Sequence, residues 1–228
     1  MKWDARKLQW YLLAGQYSEY PRVFISRIKP FLNPSYSLLD IGAGPGLFAR
    51  KMIPYLKTVY NLEPDPIACE ELKKIASNTT KIEILPFSWP LPQLDLEFDI
   101  TLSAFSGSRV MSKKDSLNLM AKITRKYIFL IAPSGSRGFA GKSKDTTPPY
   151  RETITLLDKL GFSYTTEMLS FDFGQPVKSR EDAIVFLQGQ LKSSPEEAWE
   201  YAQKIIRKHP VGFYLPNQRH AAFIKIKL

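Results

Sequence analysis

The 228-residue sequence has one cysteine, two histidines and no long apolar run. Cys69 alone forms no internal disulfide, and with only His209 and His220 beside it there is no Cys/His cluster at metal-ligand spacing. These absences exclude a disulfide-stapled secreted framework and a zinc-finger type of site, and a reducing, cytoplasmic setting is expected. No apolar stretch nears the roughly eighteen residues of a membrane helix, so no membrane partner is expected. The opening MKWDARKLQWYLLAG starts positive, but its apolar stretch is broken and has no small-residue cleavage site. It therefore reads as part of the fold rather than as a signal peptide. No serine stands on a nucleophile elbow.

What is present suits an ordinary globular domain: 44% hydrophobic residues for a core and 24% charged residues for a surface. The formal net charge of +10 is uneven along the chain. Residues 101–150 hold nine basic against two acidic side chains, whereas 35–100 hold six against nine. The basic stretch suits either a solvated face or an anionic partner, RNA included. Nothing points to DNA specificity, and oligomeric state is not readable.

Apolar spacing predicts helices within 1–32, then at 47–56, 66–77, 113–124 and 148–161, and two Ser-capped helices within 174–216. Strands are predicted at 36–42, 58–65, 81–85, 98–105, 127–133, 162–173 and 221–228. This alternation predicts an α/β fold with a largely parallel sheet. A single domain is expected, with residues 1–34 as a helical cap, 36–173 and 221–228 as the core, and 174–216 as an insertion.

The stretch LLDIGAGPGLFA (38–49) sets three glycines directly after a strand. Glycine lets a ligand approach backbone amides with no Cβ in the way, and the following helix aims its N-terminal amides at the same crevice. The dinucleotide pattern G-x-G-x-x-G fits Gly42 and Gly44 but needs glycine where Leu47 stands, which disfavours a dehydrogenase. The residues read instead as D-x-G-x-G-x-G: Asp40, Gly42, Gly44 and Gly46, with Ala43 between. This resembles motif I of the class I S-adenosylmethionine-dependent methyltransferases.

That resemblance implies S-adenosylmethionine as cofactor, with S-adenosylhomocysteine as product. It implies that Glu63, ending the second strand beside Pro64, accepts both ribose hydroxyls, for which a carboxylate is suited. After the third strand the family often carries an acid that meets the adenine amine. Here PFSWPL has none, and Phe87, Ser88 and Trp89 stand near that position. EFDITLSAF is similar to the fourth-strand motif, which implies that Ser103, Ala104 and Phe105 border the methyl group. By analogy with similar enzymes, the aromatic N-terminal segment and the 174–216 insertion close over the site, with Tyr17 or Tyr20 touching cofactor or substrate. The resemblance spans 36–173 and 221–228, and it implies a doubly wound, mostly parallel seven-stranded sheet with helices on both faces and an antiparallel last strand.

Three further features carry less. SRGFAGKS (136–143) is similar to a phosphate-binding loop, but Ser136 stands where glycine is required. DTTPPY (145–150) is similar to the [DNS]-P-P-[YF] motif of methyltransferases that act on base amino groups, yet it follows the fifth strand instead of the fourth. Its prolines are expected to cap a helix. His220 could approach the crevice but reads as a surface residue, and Cys69 as core. The expected function is methyl transfer to a small-molecule acceptor, with no catalytic base identified. RNA as acceptor, or a catalytically silent cofactor-binding protein of the same fold, is the alternative.

Overall fold

A computed structural model describes residues 3–90, 96–135, 139 and 148–228. Two helices come first, α1 (Ala5–Tyr17) and α2 (Arg22–Ile28). The Asp4 carboxylate caps α1 by accepting the Lys7 amide at 2.8 Å. Strand β1 (Ser37–Ile41) runs through the glycine loop into α3 (Leu47–Met52). The helix expected over 47–56 stops at Met52 and tightens into a 3-10 turn at Ile53–Tyr55. Pro54 explains the early stop, because its ring and missing N–H do not fit a continuing α-helix.

Then follow β2 (Thr58–Leu62), α4 (Pro66–Ala76), β3 (Ile82–Leu85), β4 (Phe98–Ala104), a short α5 (Ser108–Met111), α6 (Lys114–Ile123), β5 (Thr124–Pro133), α7 (Pro149–Leu160) and β6 (Tyr164–Asp172). Pro149 sits in the first turn of α7, where a missing N–H costs nothing, so the PP pair does cap a helix. Between β6 and the last strand lie β7 (Gln175–Val177), α8 (Arg180–Leu191), α9 (Pro195–Ile205), β8 (Arg207–His209) and β9 (Gly212–Leu215). Ser179 and Ser194 cap the two helices, Ser194 through a complete capping box with Glu197. Strand β10 (Gln218–Lys227) closes the chain, starting three residues earlier than its alternation suggested.

The main sheet has seven strands in the order β3-β2-β1-β4-β5-β10-β6. Pairings from β3 to β5 are parallel, and β10 lies antiparallel between β5 and β6. The central strands carry the least interrupted apolar runs, as burial on both faces requires. One face packs under α1 to α4 through Phe24, Phe48 and Leu72; the other packs under α6 and α7 through Leu117, Met120 and Leu157.

The sequence reading foresaw the two helices after β6 but missed the three-stranded antiparallel sheet that joins them, in the order β7-β9-β8. Helix α1 lies between the two sheets. Tyr11 and Leu12 face the main core, whereas Trp10 packs on Phe186 of α8 at 5.1 Å between ring centres. The turn after α1 is joined to the end of β6, the Glu19 carboxylate accepting the Asp172 amide at 2.6 Å.

Candidate functional site

Strand order reverses where β1 meets β4, and at such a point an α/β sheet opens a crevice beyond its carboxyl edge. The glycine loop stands there. Gly42, Gly44 and Gly46 have φ of +74°, +53° and +79°, a backbone region that a side chain strains. Their surroundings differ. A Cβ on Gly46 would strike Leu72 and Ile75 of α4, so this glycine serves helix packing. A Cβ on Gly42 would come within 2.9 Å of the Ser106 Cβ, across the crevice mouth.

Glu63 is buried at the end of β2, where its two oxygens bind two backbone amides. Oε2 accepts the Gly44 N–H at 2.8 Å and Oε1 accepts the Asp65 N–H at 3.0 Å. Each oxygen keeps a lone pair for a further donor. Pro64 beside it is exposed. Asp40 is buried at the end of β1, and its Oδ2 has no hydrogen-bond partner among the described residues. Burial first, and then the charge of Glu63, push its carboxyl up to about 7. The loop amides of Gly42 and Ala43 are held by the Leu62 carbonyl at 2.8 and 3.2 Å.

The remaining expected residues divide. Ser103 is buried and bonds its hydroxyl to that of Ser106. Ala104 and Phe105 end β4, with Phe105 itself at a positive φ of 54°. Phe87 and Ser88 are exposed beyond β3. Trp89 turns instead to the opposite face of the sheet, donating its indole N–H to Ser116 at 2.6 Å. Tyr17 packs edge-on against His209 of the small sheet. From that segment it is Tyr20 that reaches Phe105, at 5.7 Å between ring centres. His220 is exposed and bonded to Ser170; Cys69 is buried, as expected. SRGFAGKS falls outside the described residues except for Phe139, which packs on Phe186.

Three contributions complete the site: two come from the aromatic N-terminal segment expected to close over it, and the third, Arg219, had no local signal. Trp3 lies over the loop, its ring 3.4 Å from the place a Gly44 Cβ would take, and its amide donates to Asp65 at 3.1 Å. Tyr11 and Tyr20 share a hydrogen bond of 3.2 Å between their hydroxyls, close enough to Asp40 to feel its charge. Burial pushes Tyr11 up to about 12 and Tyr20 well above its ordinary value, so both are donors and not bases near neutrality. Arg219, at the start of β10, is the third. No group of metal-ligating residues gathers among the described residues.

No family model matches the chain. An uncharacterized methyltransferase of Anoxybacillus flavithermus is 24% identical over 148 residues, covering 56% of this chain and 70% of that one. Among solved structures, the YcgJ protein of Bacillus subtilis superposes with a TM-score of 0.59 at 13% identity, over 90% of this chain and 96% of that one. A SAM-dependent methyltransferase of Thiobacillus denitrificans, solved with S-adenosyl-L-homocysteine, superposes with a TM-score of 0.58 at 11% identity over the whole of both chains. Sheet order, antiparallel last strand and these likenesses agree: the chain has the class I, Rossmann-like methyltransferase fold.

Proposed function

We propose that this chain is an S-adenosylmethionine-dependent methyltransferase acting on a small-molecule acceptor. The observation that carries the reading is the pairing of a glycine loop with two buried carboxylates, one bound to that loop and one left with an unpartnered oxygen. A buried acceptor without a donor is costly, and a ligand that supplies a donor or a positive charge removes that cost. The donor set fits the cofactor: Glu63 offers two lone pairs to a cis-diol, and Asp40 an anion to a cationic group.

When bound, S-adenosylmethionine supplies an electrophilic methyl on positive sulfur. The chain's own work is placement and exclusion of water. Asp40, Gly42 to Gly46, Glu63 and Pro64 would hold the cofactor, with Phe87 and Ser88 toward its adenine end and Ser103, Ala104 and Phe105 toward its methyl end. Trp3, Tyr11 and Tyr20 cover it. The chain works as one methyltransferase domain, 1–34 and 174–216 folding over a core of 36–173 and 221–228.

The aromatic side chains packed beside the end of β4, Tyr20, Phe105 and Phe173, support a small acceptor over RNA. Of the nine basic residues in 101–150, Arg109, Lys113 and Lys114 follow the carboxyl end of β4, whereas Lys122, Arg125 and Lys126 lie around the amino end of β5, opposite the glycine loop. Arg125 is paired there with Glu97 at 2.9 Å. Arg137, Lys142 and Lys144 lie outside the described residues. No helix among the described residues is long and apolar enough to cross a membrane. Calorimetric titration with S-adenosylmethionine, beside NAD, tests the proposal. The wild type binds the first and not the second, and Gly44→Val binds neither; no binding by the wild type sinks the reading.

A further inference from the structure

Arg219 brings to the second half of the crevice a positive charge with no ion pair among the described residues. Strand alternation puts it on the same face as Asp40, since Ala221 and Phe223 follow it there and Leu38 precedes Asp40. Its Nε is buried with no hydrogen-bond partner among the described residues. Its guanidinium carbon stands 5.2 Å from the Phe173 ring centre, within cation–π range. The nearby carboxylates are engaged: Asp172 accepts the Tyr214 hydroxyl and the Asn217 amide, and Glu19 accepts the Asp172 amide. Burial lowers the guanidinium from its ordinary value, yet an arginine stays charged. A buried cation without an anion is the costliest kind of unmet group.

The sheet order says which ligand meets it. Glu63 and Asp40, on β2 and β1, stand on the cofactor side of the switch point; Arg219 stands on β10, beyond β5. Two strand spacings separate β4, where the methyl end lies, from β10, or about 10 Å. That is the reach of one small molecule. Tyr20, Phe105, Phe171 and Phe173 pack on one another there with ring centres 4.7 to 6.2 Å apart, an apolar wall beside the guanidinium. One guanidinium balances one negative charge and presents a planar fork that matches a carboxylate.

We propose that Arg219 anchors a carboxylate on the methyl acceptor, so that the substrate is a small carboxylic acid with an apolar body. This rests on the methyltransferase reading. The test follows the Arg219 Nε–Hε resonance by nitrogen-15 NMR while sodium acetate, and separately neutral acetamide, is titrated into the full chain at constant ionic strength. Acetate shifts the resonance saturably and acetamide leaves it in place; Arg219→Gln identifies the signal by its loss. No saturable shift with acetate, or an equal shift with acetamide, overturns the proposal. So does a shift produced by a short oligouridylate and not by acetate, which transfers the site to RNA. S-adenosylhomocysteine titrated separately by calorimetry keeps the two readings apart: its failure to bind removes the cofactor, while the acetate series still reports whether Arg219 holds an anion.

Discussion

The half of the crevice built on β1 and β2 differs from the half built on β10 and β6 in how its polar groups are arranged. On the first half, short-range connections dominate. Glu63 binds the loop that follows β1, Asp65 caps α4 by accepting the Ile67 amide at 2.9 Å, and the Leu62 carbonyl holds Gly42. On the second half, groups distant in sequence meet: Glu19 with Asp172, and Asp172 with Tyr214 and Asn217. A ligand common to many enzymes can be met by a local loop, whereas a particular acceptor needs surfaces from several distant segments.

The largest expected effect separates the halves outright. Gly44→Val forces a β-branched residue to a φ of +53° beneath Trp3, and S-adenosylhomocysteine binding is lost in calorimetry while far-ultraviolet circular dichroism stays native. Retained binding would break the assignment of the cofactor to this half.

Asp40 comes next. Its carboxyl stands at about 7 in the fold against 3.8 ordinarily, so the folded state holds the proton more tightly than the unfolded chain does. That preference is fully present below pH about 3.8 and is lost as pH rises through about 7. The shift corresponds to as much as about 4 kcal/mol across that window. Asp40→Asn, measured against wild type by urea unfolding, gains stability from pH 4 to pH 8 and weakens cofactor binding. A difference that stays flat with pH contradicts a buried, titrating Asp40.

Leu187→Ala probes the other half. The side chain is fully buried between α8 and α9, and removing it costs about 3 kcal/mol in unfolding. Cofactor affinity changes much less; an equal loss would merge the small sheet with the cofactor site. The smallest effect is that of Glu63→Ala, which removes a charged acceptor from two amides and weakens S-adenosylhomocysteine by roughly 10- to 100-fold, or about 1.5–3 kcal/mol.

Legibility in the sequence follows the same division. LLDIGAGPG and the acid of VYNLE were readable because strand, turn and following helix lie within one βαβ unit, whose spacing is a local property. The seven strands were readable from apolar runs or alternation set between helix and turn signals. The small sheet was not: its strands have three or four residues, too few for a period to show, and β8 reads Arg-Lys-His. Trp89 and Phe87 look equivalent in PFSWP, yet one bonds to Ser116 and the other stays exposed, which only the position of α6 decides.

The sequence by itself determined the α/β class, the parallel core and the glycine loop with its acid, because periodicity and backbone freedom act over a few residues. Tertiary structure alone decided that Trp3 covers Gly44, that Tyr20 and not Tyr17 reaches Phe105, and that the half-buried Arg219 turns its Nε inward on the face of Asp40. Those outcomes depend on which distant side chains exclude water from one another, and burial of that kind has no period in the chain.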